Sequence, residues 1–314
     1  MTSTLASAGP GAGSIATLTW FLLAVLAGVY LAVIGALLVA LRRRPPGPPP
    51  DPAFPRADRW ALVSVIGAGV IAPVLILGVF LVVTLYVLAD LLPAPTPDTL
   101  TVDVTAHQWW WEFDYGGDPP LRTANELHIP VGRRIALRLH ARDVIHSLWV
   151  PALQGKLDLI PGTTNVTWLQ ADRAGVYRGQ CAEYCGVQHA QMALSVVAQT
   201  AGEFAAWLEA QRRPAAPPAD EQAQRGERLF LDRGCAFCHT VRGSPLAFFG
   251  RTGPDLTHVA SRRTLAAGVL KNSKGALAGW IADPQSLKPG NRMPRTALPA
   301  DEFHAILAYV HALR

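Results

Sequence analysis

A chain of 314 residues can hold two or three domains, and this one is half hydrophobic with only 16% charged side chains, too apolar for a wholly soluble protein. Its formal charge of +5 is mild, and the basic residues form no stripe interleaved with aromatics, which argues against nucleic-acid binding. All four cysteines fall in two short runs, so none remains for structural disulfides if both runs carry metal chemistry.

The first elements are membrane spans. Residues 15–41 and 61–89 contain no charged side chain, and each exceeds the roughly 20 apolar residues that cross about 30 Å of hydrocarbon. The expected spans are about 15–41 and 60–90, within an N-terminal hairpin of residues 1–92. Pro73 with Gly67 and Gly69 should bend or loosen the second helix, which a bundle partner tolerates. Between the spans lie Arg42, Arg43, Arg44, Arg56 and Arg59 against Asp51 and Asp58. The positive-inside rule makes that loop cytoplasmic and places both termini on the outer side of a bacterial cell membrane. Residues 1–14 lack a basic n-region and the apolar run is long, which argues against a cleaved signal sequence. Neither span carries a carboxylate at its middle, so the anchor shows no proton or ion path.

From residue 99 to 200 the pattern becomes short alternating runs. Ile135, Leu137, Leu139 and Ala141 alternate with Arg134, Ala136, Arg138 and His140, as in a half-buried strand. Similar pieces occur at 100–104, 165–169, 176–180 and 193–198, which predicts an all-β domain over residues 93–212. The loop between its last two strands reads Cys181-Ala-Glu-Tyr-Cys185-Gly-Val-Gln-His189-Ala-Gln-Met192, and His146 is available upstream. Two thiolates, two imidazoles and a thioether suit copper, and two thiolates four residues apart suggest two coppers sharing them. A Cys2His2 zinc site is the alternative, but zinc needs neither Met192 nor redox character.

At these residues the chain resembles subunit II of the haem-copper oxidases. The likeness rests on the two-helix anchor, His107-Gln-Trp-Trp-Trp111, His146-Ser-Leu-Trp-Val-Pro151, Gly155-Lys-Leu-Asp-Leu-Ile-Pro-Gly162 and the whole 181–192 run. It implies a cupredoxin-like β-barrel with a binuclear copper (CuA) centre. In such a centre Cys181 and Cys185 bridge the metals, His146 and His189 each cap one, and Met192 is a weak ligand opposite the Glu183 backbone carbonyl. It further implies that the Glu183 carboxylate faces a magnesium ion at the boundary with subunit I, and that electrons arrive from a cytochrome at Trp109. Where many family members have a glutamate before the second span, this chain reads Arg56-Ala-Asp58-Arg59-Trp60, so no proton-channel role is carried over.

A helical stretch at 203–212 leads into Arg213-Pro-Ala-Ala-Pro-Pro-Ala219, a semi-rigid spacer. Beyond it, residues 220–314 contain Cys235-Ala-Phe-Cys238-His239, the attachment motif for a covalent haem c. Met293 is the expected sixth ligand, with His258 and His304 as rivals, because a thioether raises the potential of an electron carrier. This segment resembles class I cytochrome c: Gly226 and Phe230 fall on the first helix, Pro254 offers a carbonyl to His239, and Trp280 approaches a haem propionate. The last helix, 303–313, should bury Phe230 against Leu307 and Tyr309.

The fold class is therefore a membrane-anchored multidomain protein: two transmembrane α-helices, a cupredoxin-like β-barrel and an all-α class I cytochrome c domain. Together the pieces resemble subunit II of caa-type oxidases, which carry a fused cytochrome c. That resemblance implies electron transfer from haem c through the copper pair to a subunit I that reduces oxygen to water. Expected partners are subunits I and III and a donor such as a soluble cytochrome c or a bc complex. A copper-bearing subunit of a nitric oxide reductase-like complex and a stand-alone membrane carrier are the alternatives. Co-purification of a polytopic haem subunit separates the last of these from the rest.

Overall fold

The computed structural model describes residues 6–43, 59–92, 99–118, 120–244 and 250–314. Arg44, Asp51, Arg56 and Asp58 of the inter-span loop lie outside the described residues. Two compact units form: Ser14–Leu92, and Met1–Gly13 together with Pro93–Arg314.

Most of the first span is α1 (Pro10–Arg42). The second runs through α2 (Arg59–Ile66), a π-helical turn (Gly67–Ile71) and α3 (Ala72–Leu91). The turn has a local cause. Pro73 has no N–H to offer, and the Ala72 N–H reaches back to the Gly67 carbonyl instead, so the loosening expected around Gly67 and Gly69 is a widened turn. Both helices are long and apolar enough to cross a membrane, and Phe21 packs on Phe80 with ring centroids 5.1 Å apart. The protein is membrane-anchored.

The β domain is a sandwich of two five-stranded sheets. Its strands are β1 (Thr101–His107), β2 (Trp110–Asp114), β3 (Arg122–Ala124), β4 (Glu126–Pro130), β5 (Ile135–Ala141), β6 (His146–Trp149), β7 (Leu157–Leu159), β8 (Asn165–Leu169), β9 (Gly175–Cys181) and β10 (Ala193–Gln199). One sheet has the order β3-β2-β1-β5-β8 and the other β4-β10-β9-β6-β7, with β1/β5 and β4/β10 parallel. Strict alternation drives it: β1 and β2 bury every second residue, which turns Val102, Val104, Ala106, Trp111 and Phe113 inward. Each large apolar side chain so buried contributes about 1.5–3 kcal/mol. Of the three adjacent tryptophans, Trp111 is fully buried, and Trp110 stacks on His107 at 4.1 Å.

After β10, Thr200 caps α4 (Ala201–Arg212) by a reciprocal capping box with Glu203, so the helix starts two residues earlier than its sequence periodicity suggests. Trp207 of α4 stacks on His128 at 4.0 Å and meets Tyr115 edge-on.

The C-terminal segment is helical, with α5 (Glu221–Asp232), α6 (Lys274–Ala282), α7 (Pro284–Leu287) and α8 (Ala300–Ala312), plus one two-residue hairpin, β11 (Thr264–Leu265) and β12 (Leu270–Lys271). Helices α5 and α8 cross at Gly226, where a Cβ would sit 2.0 Å from the Ala305 carbonyl oxygen. Only glycine permits that approach. Phe230 then meets Tyr309 edge-to-face at 5.6 Å, and Leu307 is buried in the same cluster.

Candidate metal centres

Cys181 ends β9 and Met192 immediately precedes β10, so a hairpin connection carries the sulfur run. Strand β6 pairs with β9 and sets His146 beside Cys181. The donors converge. Cys181 Sγ and Cys185 Sγ are 3.8 Å apart; His146 Nδ1 is 3.9 Å from the first and His189 Nδ1 is 3.7 Å from the second. Met192 Sδ lies 3.9 Å from Cys185 Sγ, and the Glu183 carbonyl oxygen lies 3.2 Å from Cys181 Sγ. Cys181, Cys185, His146 and Met192 are all buried.

The arrangement is two-fold in character, with one imidazole facing each sulfur and both sulfurs facing each other. A single tetrahedral zinc leaves the Met192 thioether and the Glu183 carbonyl without a purpose, whereas a soft metal pair uses both. The sulfurs also differ in acidity. The hydrogen bond between them pulls Cys181 below the ordinary thiol range and, with burial, pushes Cys185 far above it.

A residue that the sequence reading passed over orders this site. Asp143 accepts from His146 Nε2 (2.9 Å), the Gln108 N–H (2.7 Å) and the Val144 N–H (2.8 Å). Burial raises its pKa, but these three donors overcome that and hold it near 2. The bond fixes His146 with Nε2 protonated and the Nδ1 lone pair turned to the sulfurs. Burial likewise depresses His146, and Asp143 and Cys181 outweigh it to raise the pKa. A carboxylate three residues before a candidate ligand histidine is the signal that could have found it. Asp143→Asn is expected to lower copper affinity on the order of 10–100-fold while leaving the fold intact. Competition with a copper chelator measures it, and an unchanged affinity removes Asp143 from the site.

The Glu183 carboxylate is partly exposed and sits 3.9 Å from Lys156 Nζ. Trp109 is half-buried, and its indole N–H donates to the Cys185 carbonyl (2.9 Å), as does Gln108 Nε2 (2.8 Å).

In the C-terminal segment, Cys235 and Cys238 flank a short 3₁₀ turn that delivers His239. His239 Nδ1 donates to the Pro254 carbonyl at 2.8 Å, which leaves the Nε2 lone pair for a metal. Burial keeps its pKa below the ordinary value, so the ring is neutral, the state a ligand needs. A Cβ at Gly253 would lie 2.6 Å from the His239 ring, so glycine there lets the chain wrap the imidazole. Of the rivals for the sixth position, His258 is buried and bonded to the Arg213 carbonyl (3.0 Å), and His304 is exposed on α8. Met293 is half-buried after α7, its N–H held by Asn291 Oδ1 and its carbonyl by Gln285 Nε2, both at 2.8 Å. Trp280 is half-buried on α6.

The two metal-bearing parts share a seam. Glu126 of β4 is buried and accepts from the backbone N–H groups of Arg263 and Thr264. Lys288 crosses the same seam to carbonyls of the β domain, and burial lowers its ammonium to about 8. The spacer is stitched down as well: Arg242 donates to the Gln211 and Arg212 carbonyls, and the Ala215 N–H to the Arg242 carbonyl.

Two known families match. The family described as cytochrome C oxidase subunit II, periplasmic domain, covers residues 116–199, and cytochrome c covers 223–314. Cytochrome c oxidase subunit 2 of Alkalihalophilus pseudofirmus is 36% identical over 297 residues, spanning 92% of this chain and 83% of that protein. The Bacillus subtilis protein of the same name is 35% identical over 261 residues, 78% of this chain and 73% of its own length. The crystal structure of the periplasmic domain of subunit II of cytochrome oxidase from Bradyrhizobium japonicum is 32% identical, covering 38% of this chain and 97% of that one, with a TM-score of 0.36. The matched domains imply copper and haem c, and the relatives are components of haem-copper oxidases. The chain belongs to the cytochrome c oxidase subunit II family, in the form that carries its own cytochrome c domain.

Proposed function

We propose that this chain is the electron-transfer subunit of a respiratory haem-copper oxidase, accepting electrons at haem c, passing them to a CuA centre and delivering them to subunit I, where oxygen becomes water. The groups supply one-electron redox chemistry, and the protein supplies position, ligands and a dry shell. Cys235 and Cys238 would hold the haem covalently, with His239 and Met293 as its iron ligands. Cys181, Cys185, His146 and His189 would hold the copper, with Met192 and the Glu183 carbonyl as weaker ligands.

Buried, fixed donors suit this task, because a site that moves little when it gains a charge has little to reorganise. Asp143 fixes His146, and the Pro254 carbonyl fixes His239. Trp109, whose indole bonds the Cys185 carbonyl, is the proposed path into the copper side. The Glu183 carboxylate is the proposed magnesium ligand at the subunit I boundary. Subunits I and III and an external cytochrome c or bc complex are the proposed partners. Both metal domains lie on the outer face of the cell membrane, since Arg42, Arg43 and Arg59 flank the inter-span loop.

One observation carries this reading: two sulfurs 3.8 Å apart with an imidazole nitrogen beside each. Metal analysis with electron paramagnetic resonance on the purified full chain tests it. The expected result is two coppers sharing one unpaired electron beside one low-spin haem. Zinc in the site, or a single copper, overturns it.

A further inference from the structure

Lys288 follows α7, in the segment that leads to Met293, and is only 2% exposed. Its ammonium donates to three backbone carbonyls: Trp109 (3.1 Å), Gln191 (3.0 Å) and Ala266 (3.2 Å). An ammonium has three donors and no acceptor, so these three carbonyls saturate it. None belongs to a carboxylate, and every hydrogen bond to the charge comes from a peptide dipole.

The acceptors are informative. Trp109 and Gln191 belong to the barrel, Ala266 to the haem domain. The Trp109 indole bonds the Cys185 carbonyl, and Gln191 adjoins Met192. One side chain therefore ties the Met293 segment to the C-terminal end of the copper loop and, through Trp109, to its middle at Cys185. Neighbouring contacts run the same way, with Arg292 donating to Gln108 Oε1 and Gln188 Nε2 to the Pro289 carbonyl. Burying a charge without an opposite charge is costly for stability. What this one delivers is placement.

We propose that Lys288 is a positioning residue that pins the haem domain's Met293 segment to the copper loop and so fixes the separation of the two electron carriers. The proposal rests on the electron-transfer reading above and deepens it. On this view the haem domain is docked in a set pose, fastened by both Lys288 and Glu126.

The test is Lys288→Met in the full, copper- and haem-loaded chain, which keeps the stem and removes the donors. Both metal spectra are expected to match the parent, and midpoint potentials measured on the same sample correct the transfer rate for any change in driving force. After flash reduction of the haem, the rate at which one electron leaves ferrous iron for the oxidised copper pair should fall on the order of tenfold or more, as ångström-scale misplacement does elsewhere. Hydrogen exchange at the Ala193 amide, which bonds the Ala267 carbonyl across the seam, should quicken. The Arg263 and Thr264 amides, which Glu126 holds, should stay protected. A parental transfer rate with parental exchange at Ala193 overturns the proposal. If the methionine variant loses a cofactor, Lys288→Gln takes its place and the same two outcomes decide. If the unaltered chain shows no haem-to-copper transfer, the underlying electron-transfer reading fails, while exchange at Ala193 still reports whether Lys288 is the pin.

Discussion

Replacing Cys185 with serine is expected to abolish the copper signal and leave the haem spectrum unchanged. Cys185 Sγ has the Cys181 sulfur, the His189 imidazole and the Met192 thioether all within 4 Å. Removing it therefore withdraws the donor around which the other three gather, not a peripheral one. A serine hydroxyl is a hard, weakly acidic donor and does not replace a bridging thiolate for copper. The haem ligands are on a different core: Cys235 and Val241 pack with the Phe230 and Tyr309 cluster, whereas Cys181 and Cys185 belong to the barrel cluster. Optical and paramagnetic spectra of the same sample measure both centres at once. Loss of both signals, or of neither, contradicts two independent sites.

The second large effect is at Gly226. Adding one methyl group there places carbon 2.0 Å from the Ala305 carbonyl oxygen and 2.8 Å from Tyr309 Cβ. Neither neighbour can swing aside, because one is helix backbone and the other is the root of a buried side chain. Gly226→Ala must part α5 from α8 and loosen the edge-to-face contact of Phe230 with Tyr309. Overpacking costs about 1–3 kcal/mol and occasionally more, and a backbone obstacle puts this case at the upper end, a large share of the roughly 5–15 kcal/mol that holds a domain together. Thermal melting followed at the haem band should shift sharply downward, while the copper signal persists to the parental temperature. A haem-domain melt equal to the parent's contradicts the close helix crossing.

Much of this architecture was legible in the chain. Strands β5 and β8 form over the residues that the sequence marked, with Ile135, Leu137 and Leu139 of β5 turned into the core. Cysteine, histidine and methionine spacing picked out the residues that converge at the copper loop, since local spacing in a hairpin dictates proximity. What escaped is non-local. Strand β4 reads Glu-Leu-His-Ile-Pro, an alternation that predicts one solvent-facing side, yet all five residues are buried. Its polar face is covered by Trp207 on α4 and by the backbone at Arg263 and Thr264. Lys288 gave no signal for the same reason: its partners Trp109 and Gln191 are about 180 and 100 residues away in sequence. A semi-rigid spacer was read from the prolines at 214–218, but the bonds from Arg242 and His258 that fasten the chain beside it depend on the folded haem domain.

The position of β10 has a consequence for biogenesis. It lies between β4 and β9, pairing parallel with one and antiparallel with the other. Until the ribosome has released residues 193–199, the second sheet is split and Met192 is unanchored. Chain closure through such distant partners is slow compared with local folding. The copper loop therefore gains its second fixed end only when β10 has paired, and the five donors converge as a product of sheet closure.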